Sequence, residues 1–306
     1  MNVLIEGLGS IALKHIEAIY ECVSDAKIFA LRSGKGSRTH PKVIDVFDLK
    51  NLDADLDFIL ISNPSYQHGN SISKFLEYGV PLFIEKPSLI SLKGSAKLLE
   101  KVGEKGINTY VACNLRFLPI MKFLKEEFLK NTPLEIRSYS GSYLPDWRPG
   151  TDYRKSYSAL DEMGGGVHLD LIHELDYLFY LLGKPLHTYS IINKVSNLEI
   201  TSKDYAHYHL EYPSTMVSVS LNYFRKIPKR DIEITFDGKV WKVDLLKSTI
   251  TDLQNGELIY TSDISIYDTY KLQMQYFMAL IKGDERPIND LAESIEVLKI
   301  CLNETT

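Results

Sequence analysis

The stretch NVLIEGLGSIALKHI, residues 2–16, decides the fold. Residues 2–6 form a short apolar run that stops at Gly7, and a helical pattern follows from about Ser10 to Cys22. Gly7, Gly9 and Ala12 make a G-x-G-x-x-A turn between the two. In such a turn the first glycine permits the tight reversal. The second lets a pyrophosphate approach the backbone, and the small third residue lets helix and strand pack closely. Ser10 and Ile11 then open a helix whose unpaired N–H groups and positive dipole end face the phosphates. A dinucleotide is the ligand this context predicts, and a plain strand–helix turn is the alternative.

Working outward, strand-like runs recur at 27–32 (KIFALR), 58–62 (FILIS), 81–85 (PLFIE) and 108–114 (NTYVACN). Amphipathic helical segments, SYQHGNSISKFLEYG and SLKGSAKLLEKVGEKG, lie between them. Strands alternating with helices imply an α/β domain with a parallel sheet, here residues 1–117. Residues 118–306 read differently. A helix near 118–130 leads to a strand at 134–144, then a polar, aromatic-rich loop to about Met163 and a helix from about Gly166 to Leu182. From 187 to 262 the pattern alternates with period two, which predicts antiparallel strands with one face packed and one wet. An amphipathic helix, YKLQMQYFMALIKG, precedes Pro287 and a terminal helix, completing an α+β domain.

Composition excludes several classes. The chain has 306 residues, 44% hydrophobic and 25% charged, so it is globular and long enough for two domains. Thirty-five Lys and Arg against 40 Asp and Glu give a net charge of −5, which is not the balance of a nucleic-acid or anionic-membrane binder. Cys22, Cys113 and Cys301 form no CxxC pair, which argues against a disulfide framework or a cysteine zinc site. With no apolar stretch of about 20 residues, a soluble cytoplasmic protein is expected.

Cofactor choice turns on the end of the second strand. A carboxylate there holds the ribose 2′-hydroxyl of NAD. Residues 27–44 contain no acid, whereas Arg32 and Ser33 end the strand with Lys35 and Arg38 close behind. A guanidinium and a hydroxyl suit a 2′-phosphate, so NADP(H) is favoured and NAD(H) is the alternative. Two further signals sit at strand C-termini, where open α/β sheets bind ligands: Asn63-Pro64-Ser65 and Glu85-Lys86-Pro87.

GLGSIA, SNPS with His68 following, GVPLFIEKP, Asn114-Leu115-Arg116-Phe117 and GGGVHLDLIHELDYL occur in an order that closely resembles the glucose–fructose oxidoreductase/inositol dehydrogenase (Gfo/Idh/MocA) family. The likeness spans residues 1 to about 182. It implies a Rossmann domain, a second domain with an open, largely antiparallel sheet, and hydride transfer to or from a secondary alcohol, often of a sugar or cyclitol. It implies that Asn63, Pro64, Ser65, His68, Glu85 and Lys86 border the cofactor. Lys86 matches the lysine that binds and polarises the reacting oxygen, and Asp170 the aspartate after the glycine run. The family pattern puts a histidine four residues after that aspartate. Here His173 comes at three and Glu174 at four, both on one face of a continuous helix. His173 can take the proton-transfer role, with Glu174 or a tyrosine as alternatives. Such chemistry requires a base for the hydroxyl proton as hydride leaves carbon, and a cation to stabilise alkoxide charge.

Residues 144–166, LPDWRPGTDYRKSYSALDEMGGG, place Trp147, Arg148, Tyr153, Arg154 and Tyr157 in a loop ahead of that helix. Aromatics can stack on a sugar, and arginines can fork onto phosphate or carboxylate, so these residues and Arg116 are substrate candidates. A domain or dimer seam is the competing explanation. The segment resembles the WRP…DYR…SYSA and HELDY subgroup, which is associated with surface-glycan and unusual-sugar metabolism. No metal is expected, because His168 and Asp170 diverge around a helix and no HExxH spacing occurs. His207 and His209 share a strand face and read as packing or sugar contacts. An NADP(H)-dependent oxidoreductase of a carbohydrate-like substrate, phosphorylated or nucleotide-linked forms included, is therefore the leading expectation. A silent dinucleotide-binding sensor is the second, and a metal-dependent hydrolase or lyase the third. The alternating strands are expected to serve a homodimer or homotetramer.

Overall fold

Runs without a polar residue become strands covered on both faces, as a parallel sheet requires. Val3–Ile5, Phe58–Ile61 and Leu82–Ile84 have no solvent exposure at all. The computed structural model describes residues 1–34 and 39–304. It divides into two compact units, Met1–Cys113 with Tyr270–Ile295, and Asn114–Thr269 with Glu296–Thr306.

In the first unit, strands β1 (Asn2–Glu6), β2 (Lys27–Leu31), β3 (Val43–Val46), β4 (Phe58–Ile61), β5 (Leu82–Ile84) and β6 (Thr109–Val111) pair in the order β3-β2-β1-β4-β5-β6. All five pairings are parallel. Helices α1 (Ser10–Cys22), α2 (His68–Phe75) and α3 (Ser95–Lys105) supply crossovers. This is the doubly wound sheet expected, and its order reverses between β1 and β4, the crevice where ligands of such sheets bind. Strand β3 was not anticipated. It is a four-residue edge strand with Ile44 53% exposed, so it carries little apolar signature. Helix α7 (Asp268–Lys282) contributes most of its length to this unit. Its Phe277 meets Phe58 and Phe83 edge-on at 5.1 and 5.2 Å, which makes it a core element of the sheet it covers. The division thus differs from a single cut at 117/118. The chain leaves the first unit at Cys113 and returns at Tyr270.

The second unit begins with α4 (Pro119–Lys130), whose proline occupies the first turn, where no backbone donor is needed. Next come β7 (Glu135–Tyr143), a series of short 3-10 turns, α5 (Val167–Asp170) and α6 (His173–Leu182). Strands β8 (His187–Asn193), β9 (Tyr205–Glu211), β10 (Met216–Asn222), β11 (Phe224–Phe236), β12 (Lys239–Asp244), β13 (Thr249–Asp252) and β14 (Leu258–Thr261) follow, and the last helix among the described residues, α8 (Leu291–Cys301), passes from the first unit into this one at Glu296. The sheet runs β14-β13-β12-β11-β7-β10-β9-β8. It is antiparallel except where β10 lies parallel to β7. Tyr208, Val219, Ile232, Val243 and Ile250 are buried on one face. In the opposite register Tyr189 pairs with His209 and Ile191 with His207, and Tyr189 and Ile191 are 60% and 58% exposed. The single helix expected over 166–182 is instead two, broken at Leu171 with φ −100° and ψ 28°. Among the described residues, no helix is long and apolar enough to cross a membrane.

Candidate active site

In the first unit the candidate residues gather at the C-terminal edge of the parallel sheet, at the β1/β4 reversal. Gly7 has φ +91°, and a Cβ there would lie 2.7 Å from the backbone N and Cα of Asn63 and 2.9 Å from the Ser62 carbonyl oxygen. Glycine is demanded both by the conformation and by the crossing of two strand ends. Ser62 Oγ ties them by donating to the Gly7 carbonyl at 3.0 Å. Gly9 is different: a Cβ on it would meet nothing within 4 Å. It precedes α1 without a side-chain cap, and no acid lies in the first turn. Ser10 is exposed and Ile11 half-buried beside this opening, and Ala12 has no exposure beneath it. An open cradle of uncapped N–H groups free of carboxylates is what a pyrophosphate needs, so these residues fit a dinucleotide.

Asn63 holds the end of β4. Its Nδ2 donates to Ser71 Oγ at 2.7 Å and to Glu6 Oε2 at 3.1 Å, and Glu6 also pairs with Lys74. These residues border a pocket of about 380 Å3 shared with Tyr66, Gln67 and Asn70. Pro64 is exposed and Ser65 opens the short turn before α2. His68 is buried, with Nδ1 2.8 Å from the Pro87 carbonyl oxygen and Nε2 3.0 Å from that of Asn63. It therefore clamps the turn after β4 to the turn after β5. Burial pushes its pKa down, against opposing bonds to those carbonyls. Lys86 is half-buried, and its backbone N–H donates to the Glu85 carboxylate at 3.0 Å.

At the end of β2, Arg32 is buried and its Nη1 bonds Asp45 Oδ1 on β3 at 2.9 Å. Ser33 is exposed. Lys35 and Arg38 lie outside the described residues. Asp45 lies one residue past the acid-free stretch 27–44 and on an edge strand with little apolar signature, so the sequence does not announce its pairing with Arg32.

A separate cluster surrounds Asp170 in the second unit. Gly164 and Gly166 take φ +77° and +135°, and a Cβ on Gly165 would sit 2.2 Å from the Tyr157 carbonyl oxygen and 2.7 Å from those of Ser158 and Leu160. The glycine run thus lets the loop over 157–160 press onto the start of α5. Tyr223 Oη donates to Asp170 Oδ2 at 2.5 Å, and the Tyr157 hydroxyl bonds Asp170 as well. The Asp170 charge pushes the Tyr157 phenol well up, while burial, then Asp170, does so for Tyr223. Both hydroxyls remain donors at neutral pH. Trp147 stands edge-on to Tyr223 at 5.2 Å, and the Arg148 guanidinium lies 5.9 Å over the Tyr157 ring. His168 is buried and desolvation pushes it down to about 4. His173 opens α6, half-buried. Because the helix breaks at Leu171, Asp170 and His173 occupy separate elements and do not share one helical face.

Other substrate candidates are committed elsewhere. Arg116 is 5% exposed and grips Asp176 with two bonds, Nε to Oδ2 at 2.8 Å and Nη2 to Oδ1 at 2.7 Å. Glu174, with no exposure, accepts from Arg230 Nε at 2.7 Å. The two acids after His173 therefore anchor α6. Arg154 pairs with Asp152 and Glu199, and the Tyr153 hydroxyl accepts the Glu199 N–H at 3.3 Å, which pins this arm of the loop to the segment before β9. Among the described residues, no group of three His, Cys, Asp or Glu side chains could hold a metal ion.

Residues 1–112 match the family model described as the oxidoreductase family with NAD-binding Rossmann fold, and residues 133–239 match the GFO/IDH/MocA C-terminal domain. The chain belongs to the GFO/IDH/MocA family. As a GFO/IDH/MocA protein it is an NAD(P)-dependent oxidoreductase in class. It is 26% identical to scyllo-inositol 2-dehydrogenase (NAD(+)) of Bacillus subtilis (strain 168) over 249 residues, 77% of this chain and 70% of that protein. It is also 26% identical to scyllo-inositol 2-dehydrogenase (NADP(+)) IolW of the same organism, over 61% of this chain but only 52% of that one. In fold it resembles UDP-N-acetylglucosamine 3-dehydrogenase GnnA from Acidithiobacillus ferrooxidans, with a TM-score of 0.77 and 18% identity over 99% of this chain and 96% of that one. Within the GFO/IDH/MocA frame, Tyr223 is the residue that sequence alone did not offer. It reads as one more alternating strand residue, and its one distinguishing mark is a neighbour 53 positions away.

Proposed function

We propose that the protein transfers a hydride between NADP(H) and a secondary alcohol or ketone of a sugar or sugar derivative, nucleotide-linked or phosphorylated sugars included. The observation that carries this reading is the turn after β5. There the Glu85 carboxylate and His68 fix the backbone on both sides of Lys86, at the edge where Gly9 offers an open phosphate cradle. The inositol and UDP-sugar enzymes that the chain resembles support the substrate class.

In this reading the Gly7–Ala12 turn holds the pyrophosphate. Asn63–Ser65 and the Glu85–Lys86 turn border the nicotinamide, which when bound supplies or accepts the hydride. The Lys86 ammonium binds the reacting oxygen and stabilises alkoxide charge. His173 exchanges the hydroxyl proton. Asp170, held as a hydrogen-bond acceptor by Tyr223 and Tyr157, supports the imidazolium that forms. Trp147, Arg148 and Tyr157 are the loop's substrate contacts. Arg32 and Ser33 face the adenosine ribose, with Asp45 neutralising part of the cation. Preference for the 2′-phosphate is then modest, with NAD(H) as the weaker alternative. The open face of the second sheet, bearing Tyr189 and Ile191, serves homo-oligomerisation.

Titration with NADPH and NADH, followed by nicotinamide fluorescence, tests the cofactor. A panel of inositols and UDP-sugars then tests turnover. Lys86→Met is expected to abolish turnover while cofactor affinity stays within about threefold, since the lysine acts on the transition state. Wild-type turnover by that variant, or binding of neither nucleotide, would overturn the proposal.

A further inference from the structure

A lone histidine in the apolar stripe of a helix is ordinarily a core residue, and α1 has one in His15, with no solvent exposure. Its surroundings are not those of a space filler. The ring stands edge-on to Phe83 at 4.9 Å and to Tyr270 at 5.6 Å. Between these apolar walls Nε2 donates to Glu85 Oε1 at 2.5 Å. The second oxygen of the same carboxylate accepts the backbone N–H of Lys86 at 3.0 Å. Glu85 is itself only 7% exposed.

Burying an imidazole against a carboxylate is costly, and a pair of well-packed apolar residues would fill the space at least as stably. What an apolar pair could not do is reach the lysine. One carboxylate oxygen is fixed by α1 and the other fixes the peptide from which the Lys86 side chain departs, so the position of α1 is transmitted to the lysine through two bonds. We propose that His15 and Glu85 form a positioning dyad for Lys86, with His15 orienting the carboxylate and the carboxylate setting the Lys86 backbone and placing a negative charge beside its ammonium. The proposal rests on Lys86 acting on the reacting oxygen, and it adds a positioning residue, His15, eight positions beyond the start of the glycine turn.

The electrostatics agree with the geometry. Burial alone pushes the Glu85 carboxyl up, but the His15 bond and the neighbouring charges outweigh it and hold the group below the ordinary carboxylate range. The ionisable groups facing Glu85 are His15 from α1, Lys86 on its own turn and His68 from α2, with Glu6 at the end of β1 acting on His68. Tyr270 from α7 closes the other side of His15 and carries the Lys14 ammonium 4.8 Å over its ring. Removing His15 takes away the bond that keeps a buried carboxylate ionised. Glu85 then takes up a proton at higher pH, and both the grip on Lys86 and the adjacent charge weaken together.

The test uses full-length protein with carboxyl-labelled glutamate, the Glu85 resonance being assigned through Glu85→Gln. In the wild type that signal is expected to stay ionised from about pH 5 to 8, in His15→Leu to titrate within that range, and in His15→Gln, which keeps a donor, to resemble the wild type. Turnover is measured on myo-inositol or UDP-N-acetylglucosamine, whichever the panel above turns over. His15→Leu should lose about 10- to 100-fold in kcat at the acidic end and recover toward alkaline pH, with NADPH affinity nearly unchanged. A merely structural loss would lower kcat by the same factor at every pH. Should His15→Leu fail to fold, Glu85→Gln decides, since its single carbonyl oxygen can accept only one of the two N–H groups and it carries no charge, so it should give a lowered, flat profile. Glu85 ionised throughout in His15→Leu, or wild-type turnover by Glu85→Gln, overturns the dyad. An inactive Lys86→Met beside an unaffected His15→Leu sinks the dyad alone, whereas an active Lys86→Met sinks the function reading.

Discussion

Replacing Arg116 by leucine separates an anion-binding residue from a buried strut. The side chains of Arg116 and Asp176 are 1% and 2% exposed, and the guanidinium makes two bonds to the carboxylate. Arg116→Leu takes the guanidinium away from the buried Asp176 carboxylate, and breaking a buried pair from one side costs about 3–5 kcal/mol. For a unit of this size each kcal/mol lowers the midpoint by about 2–4 °C, so a fall of roughly 6–20 °C is expected. Both tryptophans of the chain, Trp147 and Trp241, belong to the second unit, and their fluorescence in a thermal or urea melt therefore reports on it alone. The double variant Arg116→Leu/Asp176→Leu removes both charges and should regain most of the loss, a coupling that a double-mutant cycle reads directly. If Arg116→Leu melts like the wild type but raises KM for the substrate, the guanidinium serves ligand after all and the buried-strut reasoning is refuted.

Asp45→Asn removes the carboxylate from the Arg32 guanidinium and should raise the ratio of NADPH to NADH affinity by about tenfold, the worth of about one charged hydrogen bond, as read in parallel fluorescence titrations; an unchanged ratio would remove Arg32 from cofactor choice. His168 makes stability fall as the solution is acidified. Burial lowers its folded pKa from 6.5 to about 4, so the unfolded chain binds the proton first. Stability from this group is complete above pH 6.5 and is lost between there and about pH 4, by about 3 kcal/mol in all. Urea midpoints across that range should lose this slope in His168→Gln, and a slope that persists unchanged would assign it to other groups.

What the sequence made legible was whatever is dictated locally. The strand Asn2–Glu6, the glycine turn and the helix Ser10–Cys22 appear where expected, because a fully buried strand, a positive-φ glycine and an amphipathic helix each leave a mark in adjacent residues. Partners far along the chain leave none. Arg116 looked like a substrate contact because nothing near it announces Asp176, 60 positions on. Leu171 and Ile172 continue a helical apolar pattern, yet the helix breaks there, in a region where Val167 N–H bonds the Lys203 carbonyl and Tyr223 takes Asp170. His15 drew no attention because its polar partner lies 70 residues away while its neighbours on α1 are apolar. Site chemistry written as a motif, such as Glu85-Lys86-Pro87, could be located; the residues that hold such motifs in place could not.

The return of the chain to its first unit at Tyr270 has a consequence for biosynthesis. A nascent chain emerges at about 5–20 residues per second, and domains generally fold as they are completed. The nucleotide-type sheet cannot finish its core this way, because Phe277 must still arrive to cover Phe58 and Phe83. Its six strands are synthesised first and wait, apolar side outward, while the whole intervening sheet is made. A fragment ending near residue 113 would be born with that surface bare, and chaperone dependence or aggregation of such fragments follows directly from one late helix.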